Sequence, residues 1–150
     1  VYTVVRAYRA ALDAIQAGTF TPALAARLVE ETKAVFHREY GTGLFYGRPG
    51  ADQYTDQEDS LATTVKRHAG IVLDYFLKAG IAQVQIQDHP LAVGDTVQIH
   101  GPTTGVVEVT VASLRRDDEV LASAARGTWA TFPCPRVRVG DKVFFMETKP

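Results

Sequence analysis

A short phrase occurs twice in the second half of the chain, and it constrains the fold more than any other feature. Leu91-Ala92-Val93-Gly94-Asp95-Thr96-Val97-Gln98-Ile99 is echoed by Val137-Arg138-Val139-Gly140-Asp141-Lys142-Val143-Phe144-Phe145. Each copy reads as an apolar approach, a Gly-Asp turn and then alternating residues entering a strand. Glycine accepts a positive φ without Cβ strain, and aspartate bonds nearby backbone. Alternation after the turn buries one face of the strand. Two such approaches among other short β runs predict a small closed barrel.

The remaining runs fit that expectation. Residues 68–76 and 81–87 are strand candidates, with Lys78-Ala79-Gly80 turning between them. Residues 96–100 follow, then Gly101-Pro102-Thr103-Thr104-Gly105 as a turn. Residues 106–114, 128–132 and 142–146 complete a set of six. Short strands at this spacing indicate an antiparallel barrel or sandwich, and closure removes edges that invite aggregation.

The first forty residues carry a helical rhythm instead. Val4, Val5, Tyr8, Leu12 and Ile15 share one side at a period near 3.6, and Gly18 is placed to stop the helix. Thr21 can cap a second helix with Pro22 in its first position. Leu24, Leu28, Thr32, Val35 and Phe36 extend its stripe to about Tyr40. A helical hairpin is expected, with these stripes as core or as a docking face for further polypeptide. Residues 41–50, rich in glycine and aromatics, and the polar tract 51–60 have neither period and predict a long ordered loop. Their glycines match neither a dinucleotide fingerprint nor a phosphate loop. The division expected is a hairpin and loop over 1–64 and a β-barrel domain over 65–150.

Composition narrows the function. A net charge of -1 gives no bulk argument for nucleic acid or an anionic membrane. No apolar run approaches the roughly 20 residues that span a bilayer, and no signal peptide is visible. Cys134 is the single cysteine, so no internal disulfide can form, and a cytoplasmic setting is expected. The chain opens without Met inside a helical pattern, as expected of a piece of a longer polypeptide.

From Gly70 to Phe145 the chain resembles domain two of translation factors such as elongation factor Tu, a six-stranded β barrel. It is most similar to the version found at the carboxyl end of peptidase family U32, the collagenase-like proteases. Gly70-Ile71-Val72 with Tyr75-Phe76, Val93-Gly94-Asp95, Gly101-Pro102-Thr103-Thr104-Gly105 and the phrase from Val137 to Phe144 carry the likeness. Upstream, Val5-Arg6-Ala7-Tyr8-Arg9 and Thr42-Gly43-Leu44-Phe45-Tyr46-Gly47-Arg48-Pro49-Gly50 resemble the lead into that barrel. Gly41 departs from the Thr or Ser of many relatives. The resemblance implies an α+β accessory region that serves an upstream catalytic domain of the same polypeptide.

The family's own recognition signature, with Glu, Gly and paired Cys, has no counterpart here. Cys134, between Pro133 and Pro135, reads as a buried structural thiol, since a nucleophile needs a base and an electropositive setting. His37, His68, His89 and His100 lack metal-ligand spacing. Asp117-Asp118-Glu119 after Arg115-Arg116 reads as a solvated loop of mixed charge. Asp56, Glu58 and Asp59 lie in a polar tract with nothing to desolvate them. No catalytic residue, metal or cofactor is therefore assigned.

Relatives in RNA hydroxylation make RNA an alternative partner. From Val65 to Pro150, ten Lys and Arg stand against nine Asp and Glu, too balanced for strong phosphate neutralisation. Arg115, Arg116, Arg126, Arg136 and Arg138 could still converge, and Trp129 or Tyr75 could stack a base. Three roles follow: positioning a protein or RNA substrate, binding RNA or the ribosome, or acting as a structural or dimerisation cap. The expected substrate contacts are Arg38, Thr42, Tyr46 and Arg48. Glycines there permit close approach, Arg48 offers a planar fork, and Tyr46 adds an amphipathic ring.

Overall fold

The computed structural model describes residues 1–35, 37–38, 40–41, 43–48, 50 and 59–149. Among the described residues it is α+β, with two helices followed by ten mostly antiparallel strands. Two compact units are distinguished: Val1–Val65 with Thr148–Pro150, and Lys66–Glu147.

In the first unit, α1 (Tyr2–Gln16) and α2 (Pro22–Lys33) pack as a hairpin joined by an ion pair from Arg6 to Glu31 at 3.5 Å. The end of α1 is set by Gly18 at φ 68, where a Cβ would be strained. That geometry lets Gly18 N–H donate to the Ile15 carbonyl and Thr19 N–H to the Ala14 carbonyl, closing a Schellman cap. Thr21 Oγ1 then accepts from Leu24 N–H at 3.1 Å, with Pro22 next in line, so α2 starts where the sequence predicts.

Its end differs: α2 stops at Lys33, not near Tyr40. The Ala34 carbonyl, which would continue the helical ladder, is taken by the Thr64 N–H and hydroxyl at 3.0 and 2.6 Å. Tyr40 instead folds back and donates its hydroxyl to the Thr32 carbonyl at 2.7 Å. The α1 stripe also departs from a core role. Ala7 is the buried residue of α1, while Val5, Tyr8, Leu12 and Ile15 are each more than half exposed.

The second unit is a sheet ordered β5-β4-β10-β1-β2-β9-β6-β7, plus a β3–β8 ladder. Its strands are β1 (Thr64–Phe76), β2 (Ile81–Ile86), β3 (Leu91–Ala92), β4 (Thr96–Gly101), β5 (Gly105–Thr110), β6 (Leu114–Arg116), β7 (Glu119–Leu121), β8 (Ser123–Ala124), β9 (Trp129–Pro133) and β10 (Lys142–Thr148). Strand pairing thus replaces the expected closed ring of six with an open order of eight. Two local causes account for the extra strands. The run expected over 106–114 breaks at Val111, whose N–H donates to the Asp95 carbonyl and whose carbonyl accepts from Gly94 N–H, both at 2.8 Å. The acidic stretch expected to be a loop is the β6–β7 hairpin, in which Asp117 takes φ 52 and Arg116 pairs with Glu119. Aspartate is among the few side chains that visit this region readily.

The sheet wraps an apolar core that includes Val72, Val84, Ile86, Val97, Ile99 and Phe132. Val107 and Val109 at one end of the strand order and Leu121 at the other pack on the same cluster. The repeated phrase supplies equivalent parts of it: Leu91 and Val137 before the turns, Val97 and Val143 after them, all at most 2% exposed.

Candidate functional site

The segment expected to contact substrate forms a tight turn. Gly47 N–H donates to the Leu44 carbonyl at 3.3 Å, and Gly43 and Gly47 take φ of 56 and 126. Glycine is required there because both values lie where a Cβ is strained. The turn presents Leu44, Phe45 and Tyr46 to solvent at 76, 84 and 82% exposure. The Phe45 and Tyr46 rings meet edge to face at 5.0 Å. Arg38 and Arg48 are exposed, while Thr42 lies outside the described residues, as do Asp56 and Glu58.

Beside this segment in the same unit lies an apolar groove of about 350 Å³ between the helices. Ala7, Ala11, Leu28 and Val29 form its walls, and Tyr8, Phe20 and Tyr40 its rim. Small residues on α1 open the groove, and the Tyr40 hydroxyl bond to Thr32 holds one side of it. His37 stacks on Tyr40 with centroids 4.9 Å apart and bonds the Val35 carbonyl, so it serves the turn after α2.

A second constellation lies on the outer face of the sheet, and sequence reasoning did not find it. Phe144 on β10 is flanked edge-on by His68 from β1 and His100 from β4, at 5.5 and 5.1 Å. The Lys66 ammonium sits 4.1 Å from the Phe144 ring centroid, a cation–π contact. His68 Nδ1 lies 2.7 Å from Asp88, and His100 Nε2 lies 3.1 Å from the Gln98 amide oxygen. Burial, helped by the Lys66 charge, holds the His100 pKa below its ordinary value, so the ring favours its neutral form. Lys66 and His68 alternate on one strand and Gln98 and His100 on another. That signal was present but reads simply as a solvated strand face until the topology places β10 between them.

Four of the remaining candidates have structural partners. Cys134 is buried, and desolvation pushes its thiol up to about 11, which keeps it protonated and a poor nucleophile. Tyr75 packs on the core and donates its hydroxyl to the Cys134 carbonyl at 3.2 Å, so it is no stacking platform. Arg116 pairs with Glu119, and Arg138 Nη1 bonds Thr104 Oγ1 at 3.2 Å. Among the described residues, no three His, Cys, Asp or Glu side chains gather as metal ligands, and no helix is long and apolar enough to cross a membrane.

Residues 1–55 match the model of peptidase family U32. A collagenase of Porphyromonas gingivalis is 32% identical over 150 residues, covering 99% of this chain and 36% of its own length. An uncharacterized protease of Methanocaldococcus jannaschii is 28% identical over 143 residues, covering 93% of this chain and 35% of its own length. This chain therefore spans about a third of the length of these relatives. Among solved structures, the carboxyl-terminal domain of a candidate U32 peptidase from Geobacillus thermoleovorans aligns with a TM-score of 0.49 at 25% identity. The match covers 55% of this chain and 93% of that one.

Proposed function

Because the chain belongs to peptidase family U32, we propose that it is a non-catalytic accessory region that positions a protein or RNA substrate for a catalytic region upstream in the same polypeptide. The observation that carries this reading is the apolar surface of the helical unit. Val5, Tyr8, Leu12 and Ile15 project from α1 at more than half exposure, beside an open groove and the Leu44-Phe45-Tyr46 knuckle. A contiguous apolar surface of this kind marks an interface, and relatives nearly three times as long provide polypeptide to cover it. The substrate contacts in this reading are Arg38, Thr42, Tyr46 and Arg48, and the setting is cytoplasmic. The sheet unit is read as an opened relative of the six-stranded barrel of translation-factor domain two, because strands from both ends of its order share one core.

The test uses the chain alone and the full-length protein. The chain alone is expected to leave gelatin and labelled peptides intact; turnover abolished by Cys134→Ala would overturn the accessory role. In the full-length protein, Arg48→Ala should lower activity with little change in melting temperature. Loss of stability with unchanged specific activity would make residues 41–50 a structural connector.

The row of His68, Phe144 and His100 with Lys66 favours a second reading, an RNA- or ribosome-binding module. Aromatic faces stack bases and ammonium groups meet phosphates. Titration with tRNA at two salt concentrations separates the readings, since RNA binding weakens steeply with salt.

A further inference from the structure

The two ends of the sheet are built differently. At one end, β7 has three residues with Glu119 among them, and the chain continues directly into the β3–β8 ladder. Such an end is short and carries a charge, two of the ways in which native sheets blunt an edge. At the other end, β5 runs for six residues, Gly105-Val106-Val107-Glu108-Val109-Thr110, in regular register with β4. It carries no proline, lysine or bulge within that register.

The ladder fixes which backbone groups of β5 are used. Val111 N–H donates to the Asp95 carbonyl, so residues 95 and 111 form a hydrogen-bonded pair. In an antiparallel ladder such pairs alternate with non-bonded ones. Val97 with Val109, Ile99 with Val107 and Gly101 with Gly105 are therefore the bonded pairs of the register. The N–H and C=O groups of Val106, Glu108 and Thr110 point away from β4. Among the described residues they meet no other partner. Their side chains lie on the outer face, opposite in sense to Val107 and Val109, which pack on the core.

We propose that the β5 edge is a strand-addition site for an extended segment of a protein partner that carries a lysine or arginine opposite Glu108. Backbone bonding to three residues supplies the attachment, and alternate side chains supply the selection. Charge decides the occupant. Glu108 is exposed at the centre of the free edge, held by a 3.0 Å bond from the Gln98 amide. A second copy pairing antiparallel through the same groups would set Glu108 directly against Glu108, and like charges facing across a ladder repel. A basic residue at that position would be attracted instead. This edge lies in the sheet unit and does not depend on the accessory role assigned above.

The probe is a fluorescein-labelled heptapeptide of alternating threonine and valine with a central lysine, compared with the same peptide carrying a central glutamate. The 150-residue chain should bind the lysine peptide in preference, with amide shifts confined to Val106, Glu108, Thr110 and their neighbours. Glu108→Lys should reverse the preference. Thr110→Pro removes an N–H that the β4 ladder does not use, so it should keep the melting temperature while weakening binding about tenfold. Equal binding of both peptides, shifts elsewhere, or no binding at millimolar peptide would overturn the proposal. So would hydrogen exchange on the full-length protein that shows these three amides already protected without peptide, since the edge would then be covered by its own chain.

Discussion

The turns over residues 92–95 and 138–141 make the same bonds in different surroundings. In each, the aspartate carboxylate accepts the backbone N–H three residues earlier, at 2.8 Å from Ala92 to Asp95 and from Arg138 to Asp141. Each glycine N–H donates to the carbonyl of a buried valine, and that valine's N–H donates back to the aspartate carbonyl. The first turn clips Val111 in this way and the second clips Val72. The difference lies in what surrounds the carboxylate. Asp95 is half-buried, whereas Asp141 is 3% exposed and packed against Gly101. The first turn fixes the corner where β5 ends. The second fixes β1 at Val72, beside the bulge that leaves Leu73 out of register with β2. One local motif thus serves as a surface corner in one place and a core clamp in the other.

The largest break in this comparison should come from Gly101→Ala. Its new Cβ would overlap the Asp141 carboxylate, and thermal melts should show a loss of about 3 kcal/mol, near the upper end for overpacking. The first turn has no such neighbour. The aspartates themselves come next. Asp141→Ala removes a buried carboxylate and leaves the Arg138 N–H without its partner, and should cost about 2 kcal/mol, against about 1 kcal/mol for the half-buried Asp95→Ala. Equal urea midpoints for the two would remove the distinction between clamp and corner.

Gly94→Ala and Gly140→Ala should then agree with each other, at about 1 kcal/mol apiece. Their φ values of 96 and 87 are alike, and a Cβ at either would meet open space, so only backbone strain is paid. A large inequality would show that the turns are not equivalent.

The smallest effect is one of pH. His100 lies opposite Lys142 in register, on the strands that follow the two turns. Its pKa is lowered on folding, by burial first and Lys66 second. The unfolded chain therefore takes up a proton near the ordinary value of 6.5 that the folded chain refuses. The stability tied to a neutral His100 is full above that value and is lost as pH falls through the lower folded one. Denaturant midpoints of His100→Gln should fall less steeply with acid than those of the parent.

The parts legible in the sequence are those whose bonding partners lie within a few residues. The Gly18 stop, the Thr21 cap and both Gly-Asp turns close their hydrogen bonds locally, so composition and spacing suffice to find them. What escaped depends on distant partners. Thr64 ends α2 from thirty residues away; Asp95 breaks the strand at Val111; and the Phe144 row needs three strands laid side by side. The outward stripe of α1 is a different case. Its period was plain, but periodicity says only that a face is apolar, not what covers it.

Cys134 offers a practical handle on the sheet. It follows β9, donates its N–H to the Gly80 carbonyl at 3.0 Å, and accepts the Tyr75 hydroxyl on its own carbonyl. With the thiol protonated and largely buried, alkylating reagents reach it chiefly when this end of the β2–β9 ladder parts. The rate of alkylation is then a clock for that opening. In slow reagent it measures the population of the open form, and in fast reagent the rate at which the ladder unzips. A single buried residue thus lets the breathing of the core be timed in the unmodified chain, with no label introduced.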